Sequence, residues 1–156
     1  MSEEPRRDRR TITVTESIRV DRPPEAVFDY TQDYATRPDW DPAVVKARVL
    51  SENPRRVAIV SPGLGSYTLE YKLFRRGDRT SAAFEDVEAW LFSGGGGSWR
   101  YEPDGSGTRW TQVNTLELRH PRLTGWLAGM IERNVRSSMR KGMTRATSIM
   151  ESNTGA

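Results

Sequence analysis

Hydrophobic and polar positions alternate along much of this chain, and the alternation predicts a series of β-strands. From residue 11 onward one strand face is apolar, and its members are Ile12, Val14, Ile18 and Val20. Glu16 interrupts that face. The same alternation predicts further strands at residues 44–51, 55–61, 67–73 and 80–92, around Trp99 and Tyr101, and at residues 108–118.

Two short helices are predicted between the first and second strands. Pro24 stands in the first turn of one helix, where a proline is tolerated, and apolar side chains follow it. A second short, turn-rich segment covers residues 37–42, with Trp40 between two prolines. Further on, the glycines at residues 94–97 predict a loop or a β-bulge, because the Lys-Ser/Thr pair of a phosphate-binding loop is missing.

The stretch from residue 121 to about 151 predicts one long helix, because apolar side chains recur there at helical spacing. At about 1.5 Å per residue the helix would be roughly 45 Å long. One stripe carries Leu127, Ile131, Val135, Ser138, Gly142, Ala146 and Ile149, and Met139 flanks it. The stripe narrows at Ser138 and Gly142. This is typical either of soft core packing or of a helix that forms one wall of a ligand cavity.

The order of these elements predicts the fold. Consecutive strands joined by short turns are antiparallel, and a sheet of this size curls around the helix that covers it. We therefore predict an α+β fold: a curved antiparallel sheet of about six to seven strands wrapped around a long C-terminal helix, with two short helices after the first strand. It forms a single domain over residues 11–151. We expect residues 1–10 to be a disordered charged arm and residues 152–156 to be a flexible tail.

Composition limits the functional classes. The chain has 156 residues, no cysteine, one histidine and a formal net charge of +3. Disulfides and thiolate metal sites are thereby excluded, and a lone His120 cannot build a histidine-based metal centre. Basic residues concentrate near both ends of the chain, which suits a solvated helix face better than a nucleic-acid channel. No apolar run reaches transmembrane length, so we expect a cytoplasmic protein without metal or cofactor; a homodimer is left open.

Polar and aromatic side chains fall on strand faces that alternation turns inward. On the last strand, Gln112 and Asn114 occupy a face that should be apolar. A buried amide without a partner costs about 1–3 kcal/mol, so a ligand, a water or another side chain must satisfy each one. Core packing with buried water is one interpretation. The other is a ligand cavity between sheet and helix, formed by Trp40, Tyr67, Leu69, Tyr71, Trp99, Tyr101, Trp110, Gln112, Asn114, Val135, Ser138, Met139 and Gly142.

Three segments resemble the START-like superfamily, also called SRPBCC. Residues 18–30 (Ile-Arg-Val-Asp-Arg-Pro-Pro-Glu-Ala-Val-Phe-Asp-Tyr) resemble its opening strand and first helix, and residues 38–42 (Pro-Asp-Trp-Asp-Pro) resemble its Trp-x-Pro element. Residues 104–110 (Asp-Gly-Ser-Gly-Thr-Arg-Trp) resemble the hairpin before its last strand. The resemblance runs from about Thr11 to Met150, is nearest to small bacterial polyketide cyclase/dehydrase-like proteins and implies a helix-grip fold. Residues 61–65 would then lie at the loop that often gates the cavity mouth.

The resemblance and the residues together leave two functions open. In the first, the protein binds a small hydrophobic molecule, such as a lipid, a polyketide or an isoprenoid-like compound, and leaves it unchanged. In the second, it is a polyketide cyclase or aromatase that uses the same cavity and an acid or base. The candidates for that acid or base are Glu16, Tyr67 and Tyr71. Their dispersal along the chain favours binding, although whether the protein is an enzyme is left open.

Overall fold

The computed structural model describes residues 11–62, 65–75, 78–89, 91–119 and 125–153 of the chain. The predicted arm and residues 154–156 of the predicted tail lie outside this part. In chain order the elements are β1 Thr11–Val20, α1 Pro24–Thr31, α2 Arg37–Trp40, β2 Lys46–Glu52, β3 Arg55–Ser61, β4 Gly65–Arg75, β5 Arg79–Glu88, β6 Phe92–Asp104, β7 Gly107–Leu118 and α3 Gly125–Ser152.

The seven strands form one antiparallel sheet in the order β1-β7-β6-β5-β4-β3-β2. Strands β2 to β7 are a meander in which each strand pairs with the next one along the chain, and β1 is added beside β7. The sheet is open and curved, and the long helix and the two short helices accompany it. The predicted helix-grip fold is therefore confirmed.

The glycine-rich stretch is where the predicted strand boundaries are wrong. Residues 94–97 belong to β6 rather than to a loop, although a register shift between Phe92 and Gly94 supplies the predicted irregularity. Strand β5 ends at Glu88 instead of continuing to Phe92. Gly95 has a φ of +149°, and a Cβ there would collide with the carbonyl oxygen of Thr115. Glycine thus permits the close approach of β6 to β7, and hydrophobic alternation does not report such a requirement.

Helix α3 packs its apolar stripe onto two clusters of side chains. Its first half meets Ile12 and Val14 of β1 and Leu118 of β7. Its second half joins a cluster that also contains Val20, Phe28 and Trp40. The predicted start at residue 121 lies outside the described residues, and the helix includes Ser152, which we expected to begin the tail. None of the helices described is both long and apolar enough to cross a membrane.

The two short helices cover one end of the sheet. Pro24 occupies the first turn of α1, where its missing N–H group is not needed. Val27 and Phe28 are buried, and the Phe28 ring meets the Tyr101 ring edge-on with centroids 5.2 Å apart. Trp40, at the end of α2, is buried against both Trp99 and Trp110. Through Trp40 the short helices contribute directly to the region enclosed by sheet and α3.

Candidate functional site

A cavity of about 350 Å³ lies between the sheet and α3. This volume falls within the usual range of roughly 300–1,000 Å³ for small-molecule sites. Its wall is mainly apolar, with Phe84, Phe92 and Leu116 among its side chains. Most residues of the predicted ligand site line it, namely Trp40, Tyr67, Leu69, Tyr71, Trp99, Gln112, Asn114, Val135, Ser138, Met139 and Gly142.

Tyr101 and Trp110 were also predicted to line the site, and the structure places both in the core instead. The Tyr101 hydroxyl is hydrogen-bonded to Thr31 Oγ1 at 2.8 Å and accepts a hydrogen bond from Gln32 Nε2 at 2.9 Å. Trp110 is fully buried against Trp99, with ring centroids 5.5 Å apart. Alternation predicted the correct strand face for both residues. It could not show that α1 covers that end of the face.

Glu16 was one of the candidate acids or bases, and the structure places it outside the residues that line the cavity. Its Oε1 accepts a hydrogen bond from Arg136 Nη1 at 2.7 Å, and its Oε2 accepts one from Arg140 Nε at 3.0 Å. Burial alone would raise the pKa of the carboxyl, but the hydrogen bonds from both arginines outweigh burial and leave the pKa below its ordinary value. Glu16 therefore joins β1 to α3 as an ion pair and does not line the cavity.

Replacing Glu16 by Gln should lower the free energy of unfolding by about 1 kcal/mol at about pH 7, because its partners are partly solvated. The folded-state pKa lies below the unfolded-state pKa, so the ion pair stabilises the fold above the ordinary carboxyl pKa of 4.5. That contribution is lost as the pH falls through the folded-state pKa. Urea denaturation of both proteins at neutral and at acidic pH measures the difference. An equal difference at both pH values would contradict the assignment.

Gln112 and Asn114 of β7 take up the predicted inward orientation and form one polar end of the cavity wall. Strand β7 pairs with β6 in unbroken register here, with Gln112 opposite Trp99 and Asn114 opposite Gly97. A Cβ on Gly97 would lie only 2.7 Å from Asn114 Oδ1, so the glycine allows the amide to lean across β6. Among the described residues neither amide has a hydrogen-bond partner, and both are therefore available to a bound molecule.

A second polar group of the wall contains Tyr34, Arg37 and Tyr71. The hydroxyl groups of Tyr34 and Tyr71 are hydrogen-bonded to each other. Arg37 is only 4 % exposed, and its guanidinium carbon lies 4.4 Å from the ring centroids of both Tyr34 and Trp99. Its Nη2 donates to the Thr31 carbonyl at 2.9 Å, and its Nη1 lies 3.4 Å from Asp41 Oδ2. A buried cation with its counter-ion thus sits in the wall of an otherwise apolar cavity.

Sequence reasoning gave Arg37 and Tyr34 no place in the site. An arginine at the start of a short helix is normally solvated, and nothing in the alternation pattern predicts its burial. A usable signal was the spacing of Tyr34, Arg37 and Trp40. Residues three apart in a helical turn stack on one another, so the guanidinium falls between two aromatic rings.

Tyr67 and Tyr71 of the wall are neutral hydroxyl groups at physiological pH. Burial raises the pKa of Tyr67 to about 12, even though a hydrogen bond with Ser61 opposes the shift. Burial, together with the neighbouring Tyr34, raises the pKa of Tyr71 well above its ordinary value. These groups can donate hydrogen bonds to a carbonyl or hydroxyl oxygen, but as phenols with raised pKa values they are poor general bases.

Gly142 lines the cavity, as predicted, and its missing side chain also makes room for another part of the protein. A Cβ at this position would lie 3.2 Å from Pro42 Cδ and 3.4 Å from the Trp40 carbonyl oxygen. The missing side chain therefore admits the segment after α2, which packs onto the helix at this point. Ser138, one turn earlier, also lines the cavity.

Three of the lining residues are exposed, namely Pro42, Pro62 and Asn134, and we infer that the cavity opens between them. We call this opening the mouth. The predicted gating loop begins here, since Ser61 and Pro62 belong to the wall and Ser61 Oγ donates to the Ala43 carbonyl at 2.7 Å. Residues 63–64 of that loop lie outside the described part of the chain.

A protein-family profile described as "Polyketide cyclase / dehydrase and lipid transport" matches residues 11–151. The chain belongs to this family. The START-like resemblance drawn from the sequence is thereby confirmed. No curated protein matches the chain in sequence.

Several solved structures share the fold of this chain. TTHA0849 from Thermus thermophilus is 19% identical, with 92% of this chain and 100% of that chain covered and a TM-score of 0.78. Zhui aromatase/cyclase from Streptomyces sp. R1128 is 17% identical over 91% and 94%, with a TM-score of 0.75. A START superfamily protein from Mycobacterium smegmatis is 14% identical over 91% and 99%, with a TM-score of 0.73. At these identities the likeness concerns the fold alone.

Proposed function

We propose that this protein binds a small apolar molecule that carries oxygen groups at two opposite ends and leaves it chemically unchanged. The observation that supports this most is the distribution of polar groups in the wall. The amides of Gln112 and Asn114 come from β7, whereas the Tyr71 hydroxyl, which is hydrogen-bonded to Tyr34, comes from β4, three strands away in the sheet. A ligand that forms hydrogen bonds with both groups must itself be polar at each end.

Strand register supports an extended ligand. Asn114, Gly97, Ala82 and Tyr71 are successive partners in one row across β7, β6, β5 and β4. With strands about 4.8 Å apart, the Cα atoms at the two ends of the row are about 14 Å apart. The two middle residues, Gly97 and Ala82, are small. They leave a flat part of the cavity wall, beneath α3, that accommodates a flat ring system. A compound of two or three fused rings matches the cavity volume of about 350 Å³.

The charged groups of the wall favour binding over catalysis. Asp41 is the carboxylate among the residues that line the cavity. Its Oδ1 accepts a hydrogen bond from the Ala43 N–H at 2.9 Å. Its Oδ2 faces Arg37 at 3.4 Å. Both oxygens of this carboxylate are therefore engaged within the protein. With Glu16 paired to Arg136 and Arg140 outside the cavity lining, no group of the described wall is poised as a general base.

Cyclisation is the second candidate function, and one observation favours it. The Tyr34–Tyr71 hydroxyl pair lies beside Arg37, an arrangement that would polarise a carbonyl oxygen bound there. Incubation with a poly-β-ketone mimic, followed by mass spectrometry, separates the two functions. Recovery of the unchanged compound supports binding. A cyclised or dehydrated product that is lost in Tyr71→Phe would replace binding by cyclase activity.

Binding should follow the polar ends of the ligand. We expect 2,6-dihydroxynaphthalene to displace the fluorescent probe 1-anilinonaphthalene-8-sulfonate at lower concentration than palmitic acid does. The Asn114→Leu variant should bind the dihydroxynaphthalene about tenfold more weakly, the equivalent of one lost hydrogen bond of about 1.4 kcal/mol. Thr115→Leu is the matched control, because Thr115 is adjacent but does not line the cavity. Equal weakening by both variants, or tighter binding of palmitic acid, would contradict the proposal.

A further inference from the structure

We infer that the exposed face of α3 docks the protein onto an anionic lipid bilayer and brings the cavity mouth to the bilayer surface. The inference goes beyond the proposed function and rests on it only in that the ligand is apolar. It is carried by three features of α3: an exposed apolar pair, a continuous basic face, and a residue of the mouth at the edge of that face.

The apolar pair is Trp126 and Met130, which are 78 % and 41 % exposed. They lie one helical turn apart and therefore project on the same side of α3. Gly129, between them, has no atom within 4 Å of the place where its Cβ would be, so this side of the helix is open. One turn further along is Asn134, which is exposed, lines the cavity and points about 40° further round the helix than Met130. Asn134 thus places the mouth at the edge of this face.

The charge of α3 is one-sided. Residues 133–150 contain no acidic side chain, and within them Arg133, Lys141 and Arg145 are exposed, whereas Arg140 is paired with Glu16 of β1. At 100° per residue, Arg133 and Lys141 fall within about 20° of the Trp126–Met130 row. The nearest acid on the helix, Glu132, is 3.5 Å from Arg136 and is neutralised there. Each basic side chain close to an anionic membrane surface contributes about 1 kcal/mol of attraction.

An anionic bilayer fits this surface better than a protein partner does. A stable protein interface buries about 800 Å² on each side around a cluster of buried anchors, and here the apolar part is two side chains. Tryptophan at a helix end and a flanking basic face are typical of a helix that lies in the membrane interface. In that position an apolar ligand would pass between bilayer and cavity without crossing bulk water.

Vesicle co-sedimentation tests the docking surface on the full chain. We expect binding to vesicles of phosphatidylcholine with phosphatidylglycerol, and little binding to phosphatidylcholine alone. A Trp126→Ser/Met130→Ser variant should bind at least tenfold more weakly, and Arg133→Gln should cost about fivefold, the equivalent of about 1 kcal/mol. Val49→Ser/Leu50→Ser is the matched control, because it removes two exposed apolar side chains of the edge strand β2.

The outcomes separate this inference from the proposed function. If 2,6-dihydroxynaphthalene displaces the fluorescent probe but the protein does not bind vesicles, the docking surface is wrong and the proposed ligand site is unaffected. If the native, Trp126→Ser/Met130→Ser and control proteins bind vesicles equally, a surface other than α3 binds the membrane and the inference is wrong. Retention by an acidic protein partner, with no affinity for vesicles, would also overturn the inference. Unchanged probe binding in the α3 variants verifies that they are folded.

Discussion

Replacing Arg37 by Met should lower the free energy of unfolding by about 3 kcal/mol, the largest effect that we expect from a single substitution in the wall. The guanidinium is buried beneath Tyr34 and Trp99, and it neutralises Asp41. Without it, the Asp41 carboxylate and the Thr31 carbonyl lose their partners in a region that water reaches poorly. Denaturation of the native and variant proteins with guanidinium chloride measures the loss of unfolding free energy.

A double variant shows whether the loss comes from the ion pair. Arg37→Met/Asp41→Asn removes both charges, so it should recover part of the stability that Arg37→Met loses. Asp41→Asn alone leaves Arg37 charged and buried, and it should also destabilise the fold. If the two single losses simply add in the double variant, Arg37 acts by packing on the aromatic rings and not by pairing with Asp41.

The Gly142→Leu variant should unfold with a free energy about 1–3 kcal/mol lower than the native protein, the usual cost of overpacking a closed contact. The new side chain would have to displace Pro42 or the Trp40 carbonyl, and both belong to the rigid segment after α2. A helix propensity gain from replacing glycine reduces the loss by less than about 1 kcal/mol. Urea denaturation followed by far-ultraviolet circular dichroism measures the difference.

Ser138→Leu is the matched control for this position. Ser138 lies one turn before Gly142 and faces the cavity, so leucine there should fill volume that a ligand would occupy. We expect stability close to that of the native protein and weaker displacement of the naphthalene probe. The opposite ranking, with Ser138→Leu unfolded and Gly142→Leu stable, would mean that the ligand space lies at Gly142.

Local patterns explain why the fold was predictable. Each strand carries its own alternation and α3 carries its own 3.6-residue period, so the elements and their order follow from neighbours in sequence. The inward orientation of Gln112 and Asn114 follows for the same reason, because an unbroken strand fixes its faces from any one residue.

The errors concern contacts between distant parts of the chain. Alternation placed Glu16 on the correct face of β1, yet its partner could only be found once Arg136 was seen beside it. The sequence shows that Gly142 is small. It does not show what packs against Gly142, because the segment at Pro42 lies a hundred residues earlier in the chain. Arg37 was missed because its burial depends on Trp99, which β6 supplies.

The position of β1 has a consequence for how the chain is made. Thr11 pairs with Glu117 and Val20 with Thr108, so among the described strands β1 pairs with β7 alone, near the far end of the sequence. Hairpins of the β2–β7 meander can close as they leave the ribosome, because their contacts are local. Strand β1 is synthesised before the meander, but it can pair only after β7 has been made. Until then its apolar face, with Ile12 and Val14, has neither β7 nor α3 to cover it, and the nascent chain depends on its surroundings to keep that strand from pairing elsewhere.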